Sequence, residues 1–311
     1  MKILVLGSTG FLGSNLIKKL IKEEKYQVDG SSSEKCDLTD LQSVRKLISE
    51  SKPDIIFNLA AYVGNVHFGI NNAGDVVSNN LLMVLNLYKA IQLEGIVPLV
   101  ISPLANCSYP TAVSIQIENE WWEGMPDDSA LAYATSRRTE YVIAKSYFMQ
   151  YNIKSSHVLM PGIYGPGDHL EEERVHALDG IIMRMLQADK NSDSKFEVWG
   201  TGKPIREWLY IDDAVDLLIR VISNKNDLLY PVNLAQKKGY SVGEIAKIVA
   251  EVIQYKGVIF FNDSYIDGAM VKVMDNVKFK NVFGDYKFTD IHHGIKESVN
   301  YYRNSLIKEP V

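Results

Sequence analysis

Ile3-Leu-Val-Leu6-Gly7-Ser-Thr-Gly10-Phe-Leu-Gly13 is the stretch that decides the fold of this chain. Four consecutive apolar residues read as a strand buried on both faces. A G-x-x-G-x-x-G run follows at once and opens a helical pattern from Phe11 to about Lys22. Such glycines permit a tight turn and let backbone come close to a pyrophosphate. The helix N-terminus adds free N–H groups and the positive end of a dipole. In this strand–turn–helix setting, Gly7, Thr9, Gly10, Phe11, Leu12 and Gly13 are predicted to hold a dinucleotide. The bland alternative is a glycine turn made for packing.

Strands and helices alternate onward from that turn. Strands are expected near Tyr26–Val28, Asp54–Ala61, Pro98–Ser102 and Ser156–Met160, and helices near Leu41–Ser49, Ser78–Glu94 and Tyr133–Tyr151. This rhythm predicts an α/β fold with a doubly wound parallel sheet. It breaks after Pro166. Asp168–Arg174 reads as a charged loop, and helices follow at Ala177–Gln187, Asp212–Ser223 and Gly294–Asn304. Short strands are expected at Phe196–Trp199 and Val258–Phe261. Ser241 and Glu244 form a capping-box pattern for a helix over Ser241–Val252. The second half therefore predicts a smaller α/β region over the carboxyl edge of the sheet. The expected division is 1–167 plus 206–236 for the dinucleotide-binding part, and 168–205 plus 237–311 for the substrate-binding part.

Composition is that of an ordinary globular chain, 46% hydrophobic and 23% charged. Net charge is −5 with acids and bases interspersed, which gives no basic face for nucleic acid or a membrane surface. Only two cysteines occur, Cys36 and Cys107, so no disulfide framework is expected and a reducing cytoplasm fits. No signal sequence and no apolar run of spanning length are read. No metal site is expected.

Two segments carry chemistry. The polar stretch after the second strand reads Val28-Asp-Gly-Ser-Ser-Ser-Glu-Lys-Cys-Asp37. Asp29 is suited to a ribose diol, Ser31–Ser33 with Lys35 to a 2′-phosphate, and a plain polar loop is a third reading. Asp37, with Leu38, is placed near the adenine. The other segment is Tyr133-Ala-Thr-Ser-Arg137. Residues four apart share a helix face, so a cation at 137 supports proton exchange by the Tyr133 hydroxyl.

These pieces, together with Asn58-Leu-Ala-Ala61-Tyr-Val-Gly64, Cys107-Ser-Tyr-Pro110, Tyr164-Gly-Pro166, Val198-Trp-Gly-Thr-Gly-Lys-Pro-Ile-Arg206-Glu-Trp and Asp267-Gly-Ala-Met-Val-Lys272-Val-Met-Asp275, carry a resemblance along nearly the whole chain. It resembles the extended short-chain dehydrogenase/reductase superfamily, and within it the GDP-L-fucose synthase family of 4-keto-sugar epimerase/reductases. The resemblance implies a Rossmann-type domain holding NADP or NAD, with NADP favoured, and a nucleotide-diphosphosugar substrate. Tyr133, Arg137, Cys107 and His176 then become the catalytic set, with Cys107 and His176 as the epimerising acid/base pair. Ala60, Ala61 and Asn80 join the cofactor site, and holding backbone near the cofactor is the other reading of Asn80. Arg206, Lys272, Trp199 and Asn106 join the substrate site. Salt-bridging to Asp212 or Asp213 is the other reading of Arg206. The helices near Ser78–Glu94 and Tyr133–Tyr151 resemble those that pair in homodimers of the superfamily, with Leu81, Leu85 and Tyr88 as candidate interface residues.

Three positions depart from the family pattern. Ala105 stands where a catalytic Ser/Thr is expected, with Ser102, Asn106 and Ser108 the nearest polar substitutes. Arg137 stands where Lys is expected, and Gly162 where Asn precedes Tyr-Gly-Pro. Arginine keeps the charge but cannot pass a proton. Three functions stay open: an epimerase/reductase in glycan precursor synthesis, an epimerase without net reduction that recycles bound NAD(P), and a non-catalytic NAD(P)-binding regulator. A 4,6-dehydratase is disfavoured, because its Thr-Asp-Glu run is missing near 105–107.

Overall fold

The computed structural model describes residues 1–224 and 230–308. The chain begins β1 (Lys2–Leu6), α1 (Phe11–Lys22), β2 (Gln27–Ser31), α2 (Leu41–Ser51), β3 (Ile55–Asn58), α3 (Val66–Asn71), α4 (Ala73–Leu93), β4 (Leu99–Ala105), α5 (Leu131–Tyr151) and β5 (Ser155–Met160). It continues with β6 (Gly162–Tyr164), α6 (Ala177–Lys190), β7 (Lys195–Trp199), β8 (Ile205–Tyr210), α7 (Ile211–Val221), β9 (Val232–Asn233), β10 (Gly239–Ser241), α8 (Val242–Ile253), β11 (Val258–Asn262), β12 (Val271–Lys272), α9 (Val277–Phe283) and α10 (Ile291–Lys308).

The main sheet runs β2-β1-β3-β4-β5-β9, with every neighbouring pair parallel. Strand order reverses at β1/β3, which opens a crevice at the carboxyl ends of those strands. The run Ile3–Leu6 is apolar throughout because both faces are covered. Ile3 and Val5 enter a core shared with Leu16 of α1, Leu178 of α6 and Leu217 of α7. Leu4 and Leu6 enter another with Leu47 of α2, Leu87 of α4 and Ala144 of α5. Period-two alternation thus survives inside a continuous apolar run.

A second sheet is built around β8, which pairs antiparallel with β10 and parallel with β6 and β12. β7 and β11 form a separate parallel pair. The helix predicted over Ser241–Val252 is α8, and Ser241 and Glu244 make the reciprocal capping box. The rhythm missed α3, β6, β8, β9, β10, β12 and α9. Most of these are short, and β8 is buried along four consecutive residues without alternation, so it lacks the period that identifies a strand. Residue 206 therefore lies in the second sheet. The return to the first part is made by α7, which packs on α1, and by β9, which extends the main sheet. Positions 225–229 and 309–311 of the expected division lie outside the described residues.

Glu207 ties these layers together. It is 1% exposed. One carboxylate oxygen accepts from the backbone N–H of Gln236 and Lys237, the other from that of Met274 at 2.8 Å. An amide has only one accepting end, so Glu207→Gln leaves at least one buried N–H facing a donor. This should cost about 1–3 kcal/mol of stability, read as a lower midpoint in urea denaturation at unchanged slope.

Candidate active site

A cavity of about 1530 Å³ opens at the carboxyl ends of β1, β3 and β4. The glycine turn forms its floor. Gly7 has φ of 74°, and a Cβ there would stand 2.8 Å from the Ala60 backbone nitrogen. A Cβ on Gly13 would stand 2.1 Å from the Gly7 carbonyl oxygen. Both glycines are therefore demanded by close backbone approach. Gly10 occupies the N-cap of α1 with no side-chain cap, so the first N–H groups of α1 are left to a ligand. Two buried atoms without a partner among the described residues belong to the same cavity lining, Ser31 Oγ and Arg137 Nε. A cradle that admits no Cβ, an uncapped helix end and these orphaned polar atoms fit a dinucleotide.

Thr9, Phe11, Leu12, Asp37, Leu38, Ala60 and Ala61 line the cavity. Asn80 does not. It is 3% exposed and brackets Tyr62, accepting from its N–H at 3.1 Å and donating to its carbonyl at 2.9 Å. It holds the wall after β3 from behind. Ser31, Ser32 and Ser33 line the cavity, whereas Lys35 turns away to Asp29 at 2.8 Å. Asp37 accepts from the backbone and hydroxyl of Thr39.

Tyr133, Arg137, Cys107 and His176 all reach this cavity. Tyr133 and Arg137 share a face of α5, with the guanidinium 4.9 Å from the ring centroid. Arg137 is 4% exposed and donates to Glu140 at 2.6 Å, and the other Glu140 oxygen accepts from Asn58 at 2.9 Å. Burial raises the Tyr133 hydroxyl above its ordinary pKa, with Arg137 pulling the other way. Cys107 follows β4. Burial pushes its thiol up, while Lys272 and Arg137 draw it down. Burial also lowers the Lys272 ammonium, against the pull of Cys107.

His176 caps α6 across the cavity. Its Nδ1 lies 3.0 Å from both oxygens of Asp168, which also accepts the backbone N–H of His169 and of His176. The Asp168 side chain is 0% exposed. A carboxylate on Nδ1 selects the tautomer that leaves Nε2 free for chemistry. Sequence reading filed Asp168 under a charged loop and passed over Glu140. Glu140, three residues after Arg137 on one helix, was within reach of the helical-neighbour rule. Nothing local pointed to Asp168.

The hydroxyl expected at Ala105 has no substitute among the serines nearby. Ser102 is 0% exposed and its Oγ has no partner among the described residues. The Ser108 hydroxyl donates to the Ala105 carbonyl and accepts from Trp121 Nε1 at 2.8 Å. Asn106 does line the cavity. Lys272 lines it too, but Arg206 and Trp199 do not. Arg206 donates to the carbonyls of Ile205 and Asp267, and Asp213 is taken up by Tyr286 and Thr289, so the Arg206–Asp213 pair is not formed. Asp127 and Asp267 act on the Arg206 charge. Trp199 stacks on Tyr265 at 5.2 Å, with the Arg184 guanidinium 4.0 Å from its ring. Ser129 was missed entirely. It lines the cavity, and the Cβ position of Gly268 lies 3.5 Å from its hydroxyl and 4.0 Å from Arg206.

Gly13→Ala should weaken NADPH binding about tenfold or more, since the methyl group forces the turn off its carbonyl contact. Nucleotide titration followed by protein fluorescence checks this, and thermal unfolding separates it from global loss of fold.

Residues 3–235 match the family described as NAD dependent epimerase/dehydratase family. The chain is 31% identical to a probable GDP-L-fucose synthase of Drosophila melanogaster, with 97% of each chain covered. It is 27% identical to the GDP-L-colitose synthase of Yersinia pseudotuberculosis, with 98% of each covered. A crystal structure of a GDP-L-fucose synthetase from Naegleria fowleri superposes with a TM-score of 0.86 at 25% identity, covering 99% of this chain and 94% of that one. The same enzyme bound to NADP gives 0.85 at 24% identity, covering 99% and 95%. With the strand order, the glycine cradle and the full-length match in agreement, this chain belongs to the NAD dependent epimerase/dehydratase family.

Proposed function

We propose that this protein is a nucleotide-sugar epimerase/reductase that acts on a GDP-4-keto-hexose with NADP(H). The observation that carries the reading is convergence. Tyr133 and Arg137 from α5, Cys107 after β4 and His176 before α6 meet in one cavity with the glycine cradle. The relatives supply the sugar class, since those named above are a GDP-L-fucose synthase and a GDP-L-colitose synthase. NADP is favoured over NAD because Ser31, Ser32 and Ser33 line the cavity and Asp29 does not.

Gly7, Gly10 and Gly13 would hold the pyrophosphate, and Ser31–Ser33 the adenosine end. Bound NADPH would supply a hydride to the sugar C4. Tyr133 donates a proton to the C4 oxygen, and its raised pKa keeps that proton in place at neutral pH. Beside a C4 ketone, the C3 and C5 protons are acidic because the enolate spreads charge onto the carbonyl oxygen. The Tyr133 hydroxyl stabilises that oxygen in this half-reaction too. His176 Nε2 and Cys107 Sγ exchange the carbon-bound protons, with Asp168 fixing the imidazole and Lys272 favouring thiolate. Lys272 and Ser129 in the cavity wall suit the diphosphate end of the substrate, Arg206 would join them by giving up its bonds to the Ile205 and Asp267 carbonyls, and Trp199 stacks with Tyr265 outside the cavity.

A second reading, epimerisation without net reduction, draws on one observation. Ala105 gives the C4 oxygen no hydroxyl beside Tyr133, and neither Ser102 nor Ser108 offers one. One incubation separates the two readings. With GDP-4-keto-6-deoxymannose and NADPH in deuterated water, the epimerase/reductase consumes NADPH and carries deuterium at C3 and C5. Exchange without NADPH oxidation selects the second reading. Neither signal refutes both and leaves the non-catalytic regulator.

A homodimer is proposed through α4 and α5, which pack side by side. Leu82, Leu85, Val142 and Met149 expose apolar surface there, whereas Tyr88 points inward to Ser155 and cannot contribute. Among the described residues no helix is long and apolar enough to cross a membrane, and the cytoplasm is the proposed compartment.

Tyr133→Phe should cut the rate of NADPH oxidation by about 10²–10⁴, with deuterium exchange reduced less, in a stopped-flow and NMR comparison. Asp168→Asn should slow deuterium exchange about tenfold or more while NADPH affinity holds, because the imidazole loses its orienting charge and one of the backbone N–H groups of His169 and His176 loses its acceptor.

A further inference from the structure

An arginine at 137 raises a problem that the rest of α5 answers. Its guanidinium is nearly sealed from solvent, at 4% exposure, and a lone buried cation is costly. Glu140 stands one turn away, 0% exposed, with one oxygen on Arg137 Nη1 at 2.6 Å and the other on Asn58 Nδ2 at 2.9 Å. Asn58 ends β3 beside the cofactor cradle, so three residues from two elements form one chain of charge-assisted hydrogen bonds. Arg137 Nε is left buried without a partner among the described residues, in the wall of the cavity. A rigid fork held at one prong has its remaining donors aimed by that hold.

We propose that Glu140, seated by Asn58, is the positioning residue that makes an arginine workable beside Tyr133. It orients the guanidinium so that its free N–H groups meet the cofactor ribose, and it sets a counter-charge on the one cation beside the tyrosine. This deepens the reading of Tyr133 as the proton donor and rests on it. The titratable and charged groups that bear on the Tyr133 hydroxyl are Arg137 and Glu140 from its own helix and Cys107 from the end of β4. Burial opposes tyrosinate most, Arg137 favours it, and Cys107 and then Glu140 add to the opposition. Removing the Glu140 charge therefore lowers the pH at which tyrosinate appears, and removing Arg137 raises it.

The test reads the protein itself as well as turnover. The Tyr133 signal is isolated as the tyrosinate absorbance of each protein minus that of its Tyr133→Phe counterpart. NADPH affinity is measured alongside. Glu140→Gln should weaken NADPH about tenfold, and move tyrosinate onset and the alkaline limb of NADPH oxidation to lower pH. Glu140→Asp keeps the charge but shortens the reach, so affinity should fall with little change of onset. Should Glu140→Gln fail to fold, the double variant Arg137→Met/Glu140→Met replaces the pair by apolar groups of like size, an exchange that buried pairs tolerate. It should fold, bind NADPH about tenfold more weakly, and show onset no lower than the wild type. Unchanged onset and affinity in Glu140→Gln, or wild-type affinity in the double variant, overturns the proposal. Absence of NADPH oxidation in the unaltered protein would refute the reductase reading alone, because onset and affinity are still read.

Discussion

The Gly13 methylene lies against the Gly7 carbonyl, and a single methyl group there would stand 2.1 Å from the oxygen. Everything else in the site is hung from that contact. It fixes the angle at which α1 leaves β1, and so the direction of the uncapped helix end. Gly7 in turn presses on the Ala60 backbone, which locks the turn after β1 to the segment after β3. These are the two strands between which the order of the sheet reverses. A steric constraint among three backbone segments thus decides where the crevice opens and what shape of ligand it admits.

Chemistry enters the crevice from the other side. β4 delivers Cys107, α5 delivers Tyr133 and Arg137, and the loop after β6 delivers His176. Two of these side chains are held by partners that do not react. Asp168 fixes one nitrogen of His176, and Glu140 with Asn58 fixes Arg137. Asn80 braces the wall at Tyr62 in the same manner. The acid/base groups can then be few, because their orientation is set by buried carboxylates and amides whose own hydrogen bonds are to backbone or to charge.

The first half of the fold was readable from residues alone because its signals are local. A double-sided strand, a glycine turn and an amphipathic helix each declare themselves within a dozen residues, and they recur. The second half was read less well. β8, β10 and β12 are short or evenly buried, and they pair across long sequence separations, so no local period marks them. The site followed the same division. Residues of the glycine run and the helix face at 133 and 137 were found by spacing. Asp168 was not, since its bond to His176 depends on a loop conformation. Trp199 and Arg206 were expected at the cavity by resemblance, yet the structure seats them behind Tyr265 and against backbone carbonyls. Motif position predicted their neighbourhood but not their rotamers.

The exchange of lysine for arginine in the tyrosine motif is therefore a change in how charge is distributed and not merely in which cation is present. A lysine ammonium acts as a compact charge and can reorient its donors, whereas a guanidinium is flat, fixed and always protonated. Sealed beside a phenol without a counter-charge, it would pull against the burial that keeps that phenol protonated. Glu140 removes this conflict at a distance of one helical turn, and Asn58 ties the correction to the strand that ends in the cofactor cradle. Burial is the largest influence on Tyr133 and holds the hydroxyl protonated. A motif that departs from its pattern at one position is in this way made consistent again by a residue three positions later.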